Sequence, residues 1–149
     1  MLQRLFVIYI VFMLVLTALS WYFEPKLNVY SEDEIAYGRE YAAELLATMV
    51  AFQTGAEDLG IVSRTRLCDY YLDGQDKFRN LQSAALHMRG EQGEDFVYAL
   101  SLAEDWCRNA AEAAYHPTNA QAKSLAKQRY QQAQSELTLI TVKEYKRKQ

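Results

Sequence analysis

Histidine and cysteine are scarce in this chain, two of each in 149 residues, and that scarcity removes several chemistries at once. His87 and His116 fall on different segments, with no His-x-x-x-His, no Cys-x-x-Cys and no calcium-loop spacing, so no metal ligand set and no cofactor are expected. Proline occurs twice and glycine six times, too few for a loop-rich or disordered chain. No stretch alternates large apolar and polar residues cleanly over five positions, and no repeat of twenty to fifty residues is present, which leaves little room for a sheet or a solenoid.

The chemical motifs are missing too. There is no Gly-x-Ser-x-Gly turn for a nucleophile, and the one close glycine pair, Gly90-Glu91-Gln92-Gly93, carries an acid and lacks the lysine of a phosphate-binding loop. Carboxylates are abundant, as Glu57-Asp58, Asp69 with Asp73 and Asp76, and Glu94-Asp95. Acid–base chemistry is therefore not ruled out by residue type, but in so acidic a chain these groups read as solvated surface. No catalytic residue stands out, and an enzyme is not expected.

Charge, by contrast, is abundant, and one gap in it is longer than any other. Leu5 to Phe23 is nineteen residues without a charge, roughly 28 Å of helix, close to the thickness of a bilayer's hydrocarbon core. Trp21 and Tyr22 stand where aromatics settle at a membrane surface, and Pro25 is expected to stop the helix. Residues 1–23 thus read as a single-pass transmembrane helix and 24–30 as a connector. Arg4 and the terminal amine precede the run and Lys26 follows it, which favours the N-terminal side in the cytoplasm and the rest of the chain outside the inner membrane, in the periplasm. The rival reading is a signal segment, since Ala18-Leu19-Ser20 offers small residues for cleavage before Trp21.

Residues 31–149 suffice for one helical domain. Ser31 with Glu34 forms a capping box, and Ile35, Ala42, Leu45, Met49 and Phe52 make an apolar stripe, so a helix is expected to about Phe52 with a turn over 55–60. A short helix follows from Ile61 to Leu72, ended by an Asp73-Gly74 turn. Phe78, Leu81, Ala85 and Met88 mark another, ending near Gly90, with Gly93 closing the loop. Phe96, Leu100, Ala103, Cys107, Ala110 and Ala114 mark the next, which His116-Pro117 breaks. Thr118 with Gln121 restarts a last helix through Ala122, Ala126, Tyr130, Ala133, Leu137 and Ile140, a small-residue seam suited to packing within the bundle or against a second copy. The fold class is all-α: a transmembrane helix and a bundle of four to five helices.

Cys68 and Cys107, an even pair behind an export-type segment, are expected to form a disulfide. The net charge of −3 hides an asymmetry: residues 24–115 carry eight cations against seventeen carboxylates, residues 116–149 seven against two. The basic end, Lys143, Lys146, Arg147 and Lys148, suits a solvated helix end whose cations complement the helix dipole, contact with anionic lipid or nucleic acid, or attraction to an acidic surface on the same or a neighbouring molecule; an external address argues against nucleic acid. Eleven tyrosines exceed what a small core needs; Tyr98 falls near the polar face of its helix and Tyr37 flanks its helix's stripe, which marks them as interface candidates. The expected function is a membrane-tethered, non-enzymatic interaction module of the cell envelope, an accessory subunit or an inhibitor or exclusion factor for another envelope or membrane protein. The alternatives are a lysis or cell-wall-spanning factor and a small envelope hydrolase.

Overall fold

The computed structural model describes the backbone of residues 2–148 and the side chains of residues 6–22 and 28–148. Five helices account for nearly all of it: α1 (Leu2–Leu27), α2 (Glu32–Gly60), α3 (Arg64–Ala85), α4 (Gly90–Tyr115) and α5 (Ala120–Val142). Two short strands, β1 (Val29–Tyr30) and β2 (Lys146–Arg147), pair in parallel, Val29 with Lys146 and Tyr30 with Arg147. Helices α2 to α5 form the bundle: α4 packs between α3 and α5, and α2 closes across both.

α1 runs two residues past Pro25. Proline's fixed φ is itself helical, so the missing N–H ends the bonding pattern without ending the geometry at once. Every described side chain from Phe6 to Tyr22 is exposed. Among the described residues no helix is long and apolar enough to cross a membrane. Leu5 and Phe23, the ends of the expected span, and Arg4 and Lys26, the charges flanking it, lie outside the described side chains.

The capping box forms as the sequence predicts: Glu34 N–H donates to Ser31 Oγ at 3.2 Å and Ser31 N–H to Glu34 Oε2 at 2.7 Å. The helix it starts does not stop near Phe52 but continues to Gly60. Likewise Asp73-Gly74 makes no turn, and α3 is one helix through it. In both places glycine is needed for close approach: a Cβ at Gly55 would stand 2.6 Å from Tyr70 Oη, and one at Gly74 would collide with the Phe52 ring and reach 3.0 Å from Cys107 Sγ. Phe52 is therefore the hub of an aromatic cluster, with Tyr70, Tyr71, Phe78 and Trp106 rings around it and Tyr130 beyond Trp106.

Gly90 opens α4 with φ 53°, a left-handed conformation that admits glycine cheaply, and Gly93 lies inside α4, where a Cβ would stand 2.5 Å from the Met88 carbonyl oxygen. α4 ends at Tyr115, before His116-Pro117. The cap of α5 is Asn119 rather than Thr118, its Oδ1 accepting the Ala122 N–H at 3.0 Å. The α5 seam is used inside the chain, with Ala122, Ala126, Ala133, Leu137 and Ile140 all buried.

The disulfide does not form: Cys68 and Cys107 are free thiols. The physical reason is register. Cys107 packs opposite Gly74, whereas Cys68 lies six residues earlier on α3, about 9 Å along the axis and beyond the reach of a bridge. Cys68 instead lines a surface groove with Glu112 and Tyr115. Burial pushes the Cys107 thiol up to about 12, which leaves it an inert small side chain, and burial with the nearby Asp69 and Glu112 carboxylates raises that of half-buried Cys68 as well.

Candidate functional site

The most elaborate polar structure of the molecule is built where the chain leaves α1. β1 follows α1 by one residue, Asn28, whose Oδ1 accepts the Glu91 N–H at 3.0 Å and so ties the exit of α1 to the start of α4. Tyr30, Ile35 and Tyr145 form a second small core here, separate from that of the bundle, with the two tyrosine rings edge to face at 5.3 Å. The Tyr30 hydroxyl donates to Arg89 O at 3.2 Å and accepts the Gln92 N–H at 3.1 Å. Gln92, the single buried polar side chain among the described residues, donates through Nε2 to Glu34 O and occupies the space that a Cβ at Gly38 would need.

Residues 143–148 then fold over this junction as a strap. Lys143 Nζ reaches Asp95 Oδ2 at 2.6 Å and Glu91 Oε1 at 2.8 Å. Tyr145 Oη donates to Asp95 Oδ2 at 2.8 Å, and Lys148 N–H to Tyr30 O at 2.9 Å. Burial alone lowers the Lys143 ammonium, but its hydrogen bonds to Asp95 and Glu91 outweigh that and its affinity for the proton is raised. The Tyr145 phenol is driven up, first by burial and then by the Asp95 carboxylate. Glu34 is held low, chiefly by the Ser31 N–H, with Arg89 contributing through its Nη2 at 2.9 Å.

Part of the basic end pairs with the chain's own acidic body. Lys143 is committed to Asp95 and Glu91, and Arg147 is 3.4 Å from Glu32 with both groups well exposed, a contact of small energetic value. Lys146 and Lys148 remain exposed on the strap. Asp95, one of the carboxylates that sequence alone assigns to solvated surface, is the hub. Its one signal in the sequence is its place directly before the core residue Phe96.

The two tyrosines singled out from the sequence are both exposed, Tyr37 on α2 and Tyr98 on α4. Tyr37, 62% exposed, stacks on Tyr41, which in turn reaches Phe96. Tyr98, 54% exposed, lines a groove of about 580 Å³ at the α3–α4 corner with Ala85, Leu86, Met88 and Val97. His87 and His116 are exposed, as are Glu57, Asp58, Asp69, Asp73, Asp76 and Glu94, and no cluster of three or more potential metal ligands exists among the described residues. Comparison with protein-family models, with curated proteins and with solved structures finds no match to this chain.

Proposed function

We propose that this chain is a membrane-tethered, non-enzymatic interaction module of the cell envelope, with α1 as a single-pass anchor in the inner membrane and the bundle on the periplasmic side. In that reading it is an accessory subunit, or an inhibitor or exclusion factor, for another envelope protein. The observation that carries the reading is the contrast between α1 and the bundle. Seventeen consecutive described residues of α1, Phe6 to Tyr22, are uncharged and exposed, while α2 to α5 enclose a core of their own. A helix apolar on every side needs an apolar environment, and the bundle does not supply it. The described stretch rises about 26 Å, and all twenty-six residues of α1 about 39 Å, which brackets a hydrocarbon core of about 30 Å. Tethering in a plane raises the effective concentration of a membrane partner, so a groove as modest as that beside Tyr98 gives useful occupancy.

The test is photocrosslinking in cells, with a benzoylphenylalanine placed at Tyr98 of the full chain and, as control, at exposed Lys127. One recurrent envelope protein attached from position 98 and not from 127 is the expected result. Adducts only between copies of the chain, or the same set from both positions, would contradict the proposal and turn attention to the lysis and hydrolase readings.

A further inference from the structure

Four cations are half-buried among the described residues: Arg39, Arg89, Arg129 and Lys143. Arg89 is paired with Glu34, Arg129 with Asp105, and Lys143 with Asp95 and Glu91. Arg39 alone pairs with no carboxylate. Its Nη2 donates to the Lys143 carbonyl oxygen at 3.2 Å, and its Nε is buried without a hydrogen-bond partner, the one such side-chain atom among the described residues. A guanidinium drawn out of water without a counter-charge is costly, and an orphaned donor adds to that cost. Arg39 also lines a cavity of about 250 Å³ together with Ile35, Glu144, Tyr145 and Arg147. Arg147 is tied to its neighbours only by the exposed contact to Glu32, so its fork turns inward at small cost.

We propose that this cavity binds a phosphate group, gripped between the guanidinium forks of Arg39 on α2 and Arg147 on β2. Two forks from separate segments suit an anion with several oxygens better than a single planar carboxylate, because each fork takes its own pair of acceptors. Glu144 lines the same cavity without an ion pair among the described residues, and its charge opposes an incoming anion. The cavity abuts the β1–β2 pair, just beyond the end of α1, so the phosphate comes from one of two sources: the headgroup of an anionic lipid, or a phosphate-bearing solute.

The experiment uses the full chain, ¹⁵N-labelled, and follows the Arg39 Nε–Hε resonance. One arm titrates inorganic phosphate into protein held in a non-ionic detergent; the other compares nanodiscs of phosphatidylcholine with nanodiscs that also contain phosphatidylglycerol. Saturable movement in the first arm assigns a soluble phosphate, and movement only with phosphatidylglycerol assigns a headgroup. In whichever arm responds, Arg147→Gln is expected to weaken the response at least tenfold with the backbone spectrum retained, and Glu144→Gln to tighten it about threefold. A resonance that moves in neither arm overturns the proposal. So does movement that survives Arg147→Gln, or an Arg39 resonance displaced by Glu144→Gln alone without anion binding, which would make Glu144 the counter-ion.

Discussion

Replacing Gly74 by alanine sets two effects of opposite sign against each other, and the structure decides which wins. Alanine in a helix interior is favoured over glycine by about 1 kcal/mol, so a residue that merely sat in α3 would be improved by the change. At Gly74 the new methyl collides with the Phe52 ring and presses on Cys107 Sγ at 3.0 Å. Phe52 has nowhere to go: its ring centroid lies 4.2 Å from Tyr70 and about 6 Å from those of Tyr71, Phe78 and Trp106. Overpacking a filled core costs about 1–3 kcal/mol, and the upper end applies where the displaced ring is hemmed in by rings on two other helices. The net expectation for Gly74→Ala is a loss of about 1–2 kcal/mol. Gly60 supplies the contrast, since its added methyl would meet Leu67 Cδ2 at an ordinary 3.5 Å, so Gly60→Ala is expected to be neutral or to gain up to about 1 kcal/mol. Urea unfolding followed by far-ultraviolet circular dichroism measures both, and Phe52→Leu in the Gly74→Ala background should show a favourable coupling of about 1 kcal/mol. A Gly74→Ala protein as stable as the parent would refute the reasoning that glycine is there for close approach.

Titration of thiols without reductant should find no reaction at buried Cys107 until the chain unfolds, slow reaction at Cys68, and two thiols per chain in denaturant; a chain that needs reduction first would mean a bridge. Ser31→Ala removes the cap and should cost about 1 kcal/mol in thermal unfolding. It should also flatten the acid limb, because Glu34 is held below its ordinary value of 4.5 in the fold, so its contribution is present above that value and lost as pH falls through the depressed one. Tyr145→Ala empties the small core with Tyr30 and Ile35; at about 3 kcal/mol, opening of the strap rises roughly a hundredfold, and trypsin should cut at Lys146 to Lys148 correspondingly faster while the bundle stays folded. Unchanged cleavage would mean that Tyr145 does not hold the strap.

What the sequence could reveal was whatever is local. The Ser31-Glu34 box and the His116-Pro117 break act over four residues or fewer, and the stripes of α4 and α5 recur at helical spacing, so these are readable and present. Glycine misleads for the same reason. Gly55 and Gly74 look like punctuation along the chain, yet each answers a ring on another helix, Tyr70 or Phe52, which no spacing announces. The cysteine pair fails in the same way, since parity suggests a bridge but the antiparallel register of α3 and α4 sets Cys107 against Gly74. The strap depends on Tyr30 meeting Tyr145 and on Asp95 receiving Lys143, contacts far apart in sequence with two-residue strands as their only backbone sign. Lys143, an interface candidate by sequence, is half-buried and paired with Asp95 and Glu91 of its own chain. Arg39, the one half-buried cation lacking a carboxylate among the described residues, carries no sequence signal at all.

The tether itself is tested most directly by extraction. Full-length chain and a form starting at Asn28 would be expressed side by side, and their membranes washed with alkaline carbonate and floated on a density gradient. The full chain is expected to resist the wash and float with lipid while the shorter form stays in the supernatant with its helical spectrum intact. A full chain released by carbonate as a soluble species would contradict it.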